Sequence, residues 1–245
     1  TSSFDKIRNS CKNIKLTAYT RKSPDEVYPI NTMRNLAIHA VDTKFFLLID
    51  IDFWPDALLH SKVDFFSGAL TELGIEGYTG LIVPAFRFVN MDDSCRYAED
   101  CPAKFDQAVP LEFFQLTECV YHNYCRIFDY THNPYGHSTT DYPLWFMQNK
   151  TELRRVVCFQ SNKYEPYVVL QKIPNVTFYD ESFTGYGKNK IQLIMDLRAK
   201  NFQFYVIPQS FVVHVPHRPS LSRKNWLSRD SHRKKMEDSI GVYVK

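Results

Sequence analysis

KFFLLIDIDFWP, residues 44–55, is the stretch from which the rest of the chain is read. Phe45 to Ile49 are apolar without interruption, a run too short for a membrane span, and the lack of alternation predicts a strand buried on both faces of a parallel sheet. The run ends in two carboxylates. Side chains alternate along an extended chain, so Asp50 and Asp52 are expected on one side, with Ile51 pointing away, just where the strand leaves the sheet. Pro55 then ends the pairing. Carboxylates at the carboxyl end of a central parallel strand lie in the crevice where open α/β sheets take ligands. Two on one side suit a hard divalent cation carrying phosphate oxygens. A metal-diphosphate site is therefore the first expectation, but an Asp-x-Asp triplet can also do no more than cap the following turn, so the rest of the chain must decide.

Length and composition set the bounds. A chain of 245 residues with no evident linker reads as one domain, 1–245, large enough to bury a substantial core. The aromatic share of 15% is high, as in proteins that stack sugars or bases in open clefts. A net charge of +3 is too small to imply nucleic acid, and much of the excess lies near the end, from Arg223 to Lys235. No run of apolar residues is long enough for a transmembrane helix, and the sequence opens on Thr1 without a leader-like segment. The six cysteines contain no Cys-x-x-Cys pair, which argues against a zinc site; the spacings of Cys95 to Cys101 and of Cys119 to Cys125 allow small disulfide loops without fixing the pairing. Two glycosylation sequons, at Asn149 and Asn175, point with the cysteines to a secretory lumen.

In chain order, residues 13–20 read as a short strand, and Tyr28 to Ala40 as a helix with Pro29 near its start and Ile30, Met33, Leu36 and Ala37 at helical spacing. The polar residues Asn31, Arg34 and Asn35 share another arc, either a solvated face or, for Arg34, a reach to a diphosphate. Residues 57–73 read as a helix ended by Gly74, and 80–88 as a buried strand in which Pro84 signals an edge or a bulge. A polar insertion, 90–110, and a helix over 111–125 follow. Residues 129–145, DYTHNPYGHSTTDYPLW, have the composition of a binding loop, or of an ordinary loop carrying buried aromatics. Residues 165–170 give another strand, 178–190 a turn with two acids and a Gly-x-Gly, 191–199 an amphipathic helix, and 202–215 a strand pair. His214 and His217 flank Pro216, and 225–236 is a basic helix or a disordered run. A lone His at a strand end is usually structural. Two carboxylates and one imidazole nevertheless make a set that suits manganese.

Six segments in this order and spacing identify a family: YPINTMRNLA (28–37), LLIDIDFWP (47–55), LIVPAF (81–86), YEPYVVL (164–170), YDESFTGYGKNKIQLIMDL (179–197) and FVVHVPHRPS (211–220). Together they resemble glycosyltransferase family 49, which includes LARGE-type and β1,4-glucuronyltransferase catalytic domains, over roughly residues 28–220. The resemblance implies an α/β GT-A-like three-layer domain with a mostly parallel central sheet. It also implies a Mn2+-dependent (or other divalent cation) inverting transfer from a UDP-sugar to a glycan on a glycoprotein, in the Golgi lumen behind an anchor absent from this chain. Carried over by position, Asp50, Asp52 and His214 become the metal ligands. His214 is preferred to His217 because it is the first His of its segment. Asn31 and Arg34 lie near the donor, and His137, Thr140, Trp145 and Tyr186 near the substrates.

Three departures from the family pattern stand out. The Glu-Asp pair that many inverting GT-A enzymes place after a Gly-rich turn is replaced by Lys188, Asn189 and Lys190, leaving Asp180 and Glu181 as the nearest acids, to act as base or to hold the loop. Arg87 stands after the PAF segment where relatives often carry an acid, which bears on contacts to the transferred sugar or to a carboxylate-bearing acceptor. Before Asp50 only one strand and one helix are legible, so the N-terminal βαβ unit is expected to be incomplete. The resulting reading is a metal-dependent inverting glycosyltransferase using glucuronic acid, xylose or N-acetylglucosamine. The rivals are a non-catalytic glycan- or nucleotide-binding remnant and a metal-dependent phosphohydrolase, which would need a second cluster of acids.

Overall fold

The computed structural model describes residues 14–23, 26–72, 78–89, 95–173, 176, 178–228, 230–241 and 243. Cys11, Gly74 and the sequon residues Asn175 and Thr177 lie outside the described residues. Within them, helix α1 (Ile30–Ala40) leads to β1 (Phe45–Leu47) and β2 (Phe53–Pro55), then α2 (Leu59–Glu72), β3 (Thr79–Val83) and β4 (Ala85–Phe88). Helices α3 (Pro102–Ala108) and α4 (Phe113–Tyr121), strand β5 (Cys125–Ile127), a 3-10 turn (Ser138–Thr140), α5 (Tyr142–Met147) and β6 (Arg154–Arg155) follow. The chain continues through β7 (Tyr167–Gln171), α6 (Asn189–Ala199), β8 (Gln203–Val206), β9 (Val212–His214), α7 (Leu221–Ser228) and α8 (Asp230–Gly241).

The strands form two mixed sheets, one in the order β1-β7-β3-β8-β6 and the other β2-β9-β4-β5. The α/β class is as expected, but the sheets are not mostly parallel. Only β3 with β8 and β4 with β9 run parallel, and the remaining pairs are antiparallel. β1 is an edge strand antiparallel to β7, not a central parallel one. Its apolar run does reflect burial on both faces: Phe46 and Leu48 pack into one apolar cluster and Phe45, Leu47 and Ile49 against another. An unbroken apolar run records that both faces are covered but carries nothing about the partner's direction.

Three segments cross from one sheet to the other at the same place, and this decides where the site forms. The chain passes from β1 to β2 through Asp50 and Asp52, from β3 to β4 through Pro84, and from β8 to β9 through residues 207–211. Residues 80–88 are thus two strands in two sheets, with Pro84 at the switch between them. Proline ends the first ladder because it has no N–H to give, yet its carbonyl still accepts from Val212 N at 2.9 Å. The expected 202–215 pair divides in the same way. Residues 14–20 are irregular and mostly exposed, where a strand was expected. The 111–125 helix shortens to α4 and is followed by β5, while 221–228 and 230–241 are two helices.

Buried side chains fix this frame. Phe86 and Trp145 have 1% and 0% of their surface exposed, and the Trp145 indole donates to the Ile207 carbonyl at 2.8 Å. Disulfides Cys95–Cys101 and Cys119–Cys125 close the two small loops that the spacing allowed, and Cys158 is a free, exposed thiol. No helix among the described residues is long and apolar enough to cross a membrane.

Candidate functional site

The Asp-x-Asp triplet sits in a turn rather than on a strand end. The Asp50 carbonyl accepts from Phe53 N at 3.0 Å, and Ile51 at the tip is fully exposed. The two carboxylates therefore reach different partners instead of lying side by side.

Asp52 is placed by the β2–β9 ladder. Phe53 pairs with His214, and Val215 N donates to the Asp52 carbonyl at 2.9 Å, so the Asp52 side chain meets the end of β9. There His214 Nε2 lies 3.0 Å, and His217 Nε2 2.6 Å, from the same oxygen, Oδ2. Burial alone would raise the Asp52 carboxyl, but the hydrogen bond with His214 and the charges of His214 and His217 outweigh it and hold the group below its ordinary value. One ligand atom from each of Asp52, His214 and His217 lies within 4.8 Å of the other two. A carboxylate and two imidazoles converging in this way suit a divalent transition metal such as manganese, and three protein donors leave positions for ligand oxygens. Phe53 and Phe128 wall this group, each with its ring centroid 5.1 Å from that of His214.

Asp50 lies outside the group of three. Its Oδ2 accepts from Lys190 Nζ at 2.8 Å and from the Tyr167 hydroxyl at 2.8 Å, and its Oδ1 from Arg34 Nη2 at 3.3 Å. Burial pushes the Asp50 carboxyl upward, but the charges of Lys190 and Arg34 and the bonds from Lys190 and Tyr167 prevail and hold it well below the usual carboxylate range. The expected metal set was Asp50, Asp52 and His214; the structure brings together Asp52, His214 and His217, and gives Asp50 two cations of its own. Lys190 stands where the family pattern expects an acid, and here it bonds one instead, Asp50. Its only sequence signal is its place in the first turn of the helix after Gly-x-Gly. That turn is left-handed at Gly185, Gly187 and Lys188, with φ of 69°, 88° and 64°, and it aims the start of α6 at Asp50.

The polar arc of α1 faces inward rather than to solvent. Asn31 is fully buried, its Nδ2 donating to the Asp180 carbonyl at 2.7 Å, and Asn35 bonds both the carbonyl and the amide of Tyr179. Thr32 and Asn35 donate to Glu181 at 3.0 Å each, while Ser182 N and the Tyr243 hydroxyl donate to the Asp180 carboxylate. Of the two roles expected for these acids, holding the loop is the one their bonds describe. Asn31 has no exposed surface for a donor, and within the arc Arg34 alone reaches the Asp50 group.

In the 129–145 loop, Thr140 and Trp145 are wholly buried, Thr140 bonding the Tyr164 hydroxyl at 2.8 Å, so both belong to the core and not to a substrate surface. His137 is 3% exposed, and burial, helped by the Lys190 charge, brings its imidazole down to about 3. It forms part of the lining of a cleft of about 280 Å3 with Phe128, Tyr130, Ser138, Asp141 and Gln160. Tyr186 is exposed, its ring 6.2 Å from that of Trp226. Sequence reasoning also missed Glu165. It stands two residues before Tyr167, just ahead of β7, and accepts from Asn133 Nδ2 at 2.7 Å; burial raises its carboxyl despite the opposing charge of Lys190.

The sequence profile of a family described as glycosyl-transferases for dystroglycan matches residues 2–242. Xylosyl- and glucuronyltransferase LARGE2 of Mus musculus is 32% identical over 211 residues, covering 84% of this chain and 27% of that protein. LARGE2 of Rattus norvegicus is 31% identical over 232 residues, covering 93% of the chain and 30% of that protein. LARGE1 of Gallus gallus is 30% identical over 210 residues, covering 85% and 25% respectively. The chain thus spans about a quarter to a third of the length of these relatives. With a profile match over nearly its whole length, the chain belongs to the glycosyltransferase family for dystroglycan, family 49.

Proposed function

We propose that this domain transfers a sugar from a UDP-sugar to a glycan hydroxyl with inversion, using a divalent cation, manganese in the first instance. The observation that carries this reading is the convergence of Asp52, His214 and His217 beside Arg34 and Lys190. Asp52, His214 and His217 would hold the metal, which when bound supplies positive charge to the diphosphate of the departing UDP. Arg34 and Lys190, two cations against the one carboxylate of Asp50, leave one net positive charge next to it for the same phosphates. The acceptor would enter by the cleft beside Phe128. Xylose and glucuronic acid, the sugars named for the relatives, are the first donors to try, with N-acetylglucosamine third. A glycoprotein acceptor in the Golgi lumen accords with the two disulfides.

Calorimetric titration of UDP into the protein, with manganese and then with chelator, tests this reading. Metal-dependent binding is expected, and it should be lost in Asp52→Asn, whose amide is a poorer metal ligand. Unchanged affinity in that variant would sink the metal assignment. Absence of UDP binding in a folded sample would favour a non-catalytic remnant.

A further inference from the structure

The turn between α5 and β6 carries Asn149-Lys150-Thr151, in which an asparagine is followed two residues on by a hydroxyl. Residues 149–152 are all exposed. Two donors converge on the Asn149 side-chain oxygen, Oδ1: the Thr151 amide at 3.1 Å and the Thr151 hydroxyl at 2.9 Å. This is an Asx-turn, in which a side chain folds back on the backbone two residues ahead. Glu152 N closes the backbone of the same turn by donating to the Asn149 carbonyl at 3.2 Å. Gln148 Nε2 pins it to the sheet, donating to the Glu152 carbonyl at 2.7 Å and to the Val206 carbonyl of β8 at 3.0 Å.

The bonds to Oδ1 bear on the chemistry of Nδ2. Electron density drawn toward the oxygen makes a proton on the amide nitrogen easier to lose. Nδ2 has two such protons, and its bond to Glu152 Oε1 at 3.2 Å needs only one. The surroundings admit a large group. β6 is the outermost strand of the first sheet, and residues 149–152 line no part of the cleft beside Phe128. A bulky, hydrophilic oligosaccharide requires a surface turn of this kind.

We propose that Asn149 is a glycosylation site of this protein, carrying an oligosaccharide received from a lipid-diphosphate donor. The inference rests on the secretory placement within the proposed function and on no step of sugar transfer by this domain. In the reaction Nδ2 bonds to the anomeric carbon of the donor, and the bond from that carbon to the phosphate oxygen breaks. Its electron pair leaves with the lipid diphosphate, and the Nδ2 proton passes to a base of the transferring enzyme. The glycan then stands next to the short edge strand β6, between the exposed Met147 and Val157 in the chain, where it opposes edge pairing with another molecule.

The test uses the chain secreted from animal cells behind a cleavable leader, in an Asn175→Gln background so that Asn149 is the remaining Asn-x-Thr site. Digestion with an N-glycosidase in heavy-oxygen water should speed the protein on a gel and leave labelled aspartate at position 149 in most molecules. Thr151→Ser should keep the modification, whereas Thr151→Ala and Lys150→Pro should each abolish it, the second because proline is barred from the middle position. Protein retained in the cells is digested in the same way, because glycan transfer accompanies entry into the lumen, so poor folding of a variant does not hide the result. If the turn serves structure alone, Asn149 stays bare in protein whose two disulfides have formed, and the proposal is overturned. A modified Asn149 in protein that binds no UDP would leave the site standing and remove the transferase reading. Metal-dependent UDP binding with a bare Asn149 would do the reverse.

Discussion

At residue scale, Glu165 is the acid to test as the base of the transfer proposed above, because the Asp180 and Glu181 carboxylates are engaged within the 179–182 loop and with α1. Inverting transfer needs a base for the acceptor proton, and a useful base has a pKa raised toward neutrality. Asp180 and Glu181 have their carboxylates spent on the 179–182 loop, and Asp180 is held below its ordinary value, burial being outweighed by the bonds from Ser182 and Tyr243. Glu165 instead is raised by burial and lies near enough to Lys190 and Tyr167, both bonded to Asp50, to interact with them electrostatically. Glu165→Gln keeps the shape and the bond from Asn133. It is expected to lower the transfer rate by roughly 10²- to 10⁴-fold while leaving UDP affinity and melting temperature unchanged; a rate within threefold of the parent would exclude Glu165 as the base. His137 carries a second expectation. Its folded value of about 3 lies below the ordinary value of about 6.5, so between these limits the unfolded chain binds the extra proton and stability falls as pH falls. Denaturant titrations at pH 7 and pH 5 should show a loss of about 2 kcal/mol attributable to this group, and His137→Gln should lack that part of it. Asp52 and His214 were legible because their types and places in the sequence suffice. His217 was set aside by a preference for the first of two histidines, while Lys190 and Glu165 acquire meaning only when distant segments approach Asp50.

At the scale of elements, the turn from Gly185 to Lys188 governs the start of α6 and hence Lys190. The C-terminal helices hold it: Trp226 of α7 lies over Gly187, His232 of α8 stands 3.0 Å from the Thr184 carbonyl, and Lys188 pairs with Glu237 at 3.9 Å. A Cβ on Gly187 would come within 2.8 Å of the Trp226 ring, at a φ of 88° that side chains resist. Gly187→Ala should therefore cost about 1–3 kcal/mol and weaken UDP binding by displacing Lys190. Gly68→Ala, in the middle of α2 with nothing within 4 Å of the added carbon, should stabilise by about 0.5–1 kcal/mol. Melting curves of the two variants should move in opposite directions; a stable Gly187→Ala protein with parental UDP affinity would break the link between turn and site. Sequence periodicity showed α1, α2 and α6 and the buried runs of β1, β3 and β7. It did not show that Pro84 marks a change of sheet rather than an edge, or that β1 runs antiparallel to β7, because strand direction depends on partners hundreds of atoms away along the chain and leaves no mark on the period.

For the whole molecule, the two disulfides decide how firmly the site's outer wall is held. Cys119–Cys125 ties the end of α4 to the first residue of β5, and β5 leads directly into Phe128 against His214. Cys95–Cys101 fastens the segment before α3, whose Ala98 N bonds the Pro216 carbonyl between the two candidate histidine ligands. Each loop spans a sequence separation of 6, for which chain-entropy arguments give about 2 kcal/mol of stabilisation. At roughly 2–4 °C per kcal/mol for a chain of this size, full reduction should lower the melting temperature by on the order of 10 °C. Both bridges border residues that carry His214 and His217, so reduction should also weaken metal-dependent UDP binding at temperatures where the protein is still folded. Among the described cysteines only Cys158 should react with a thiol reagent before reduction. A double Cys119→Ser, Cys125→Ser variant separates the two bridges: it should lose about half of the thermal shift, with its added mobility at Phe128 seen as faster hydrogen exchange in β5. Equal melting temperatures with and without reductant, or native labelling of Cys119 or Cys125, would show that the wall stands without these bridges.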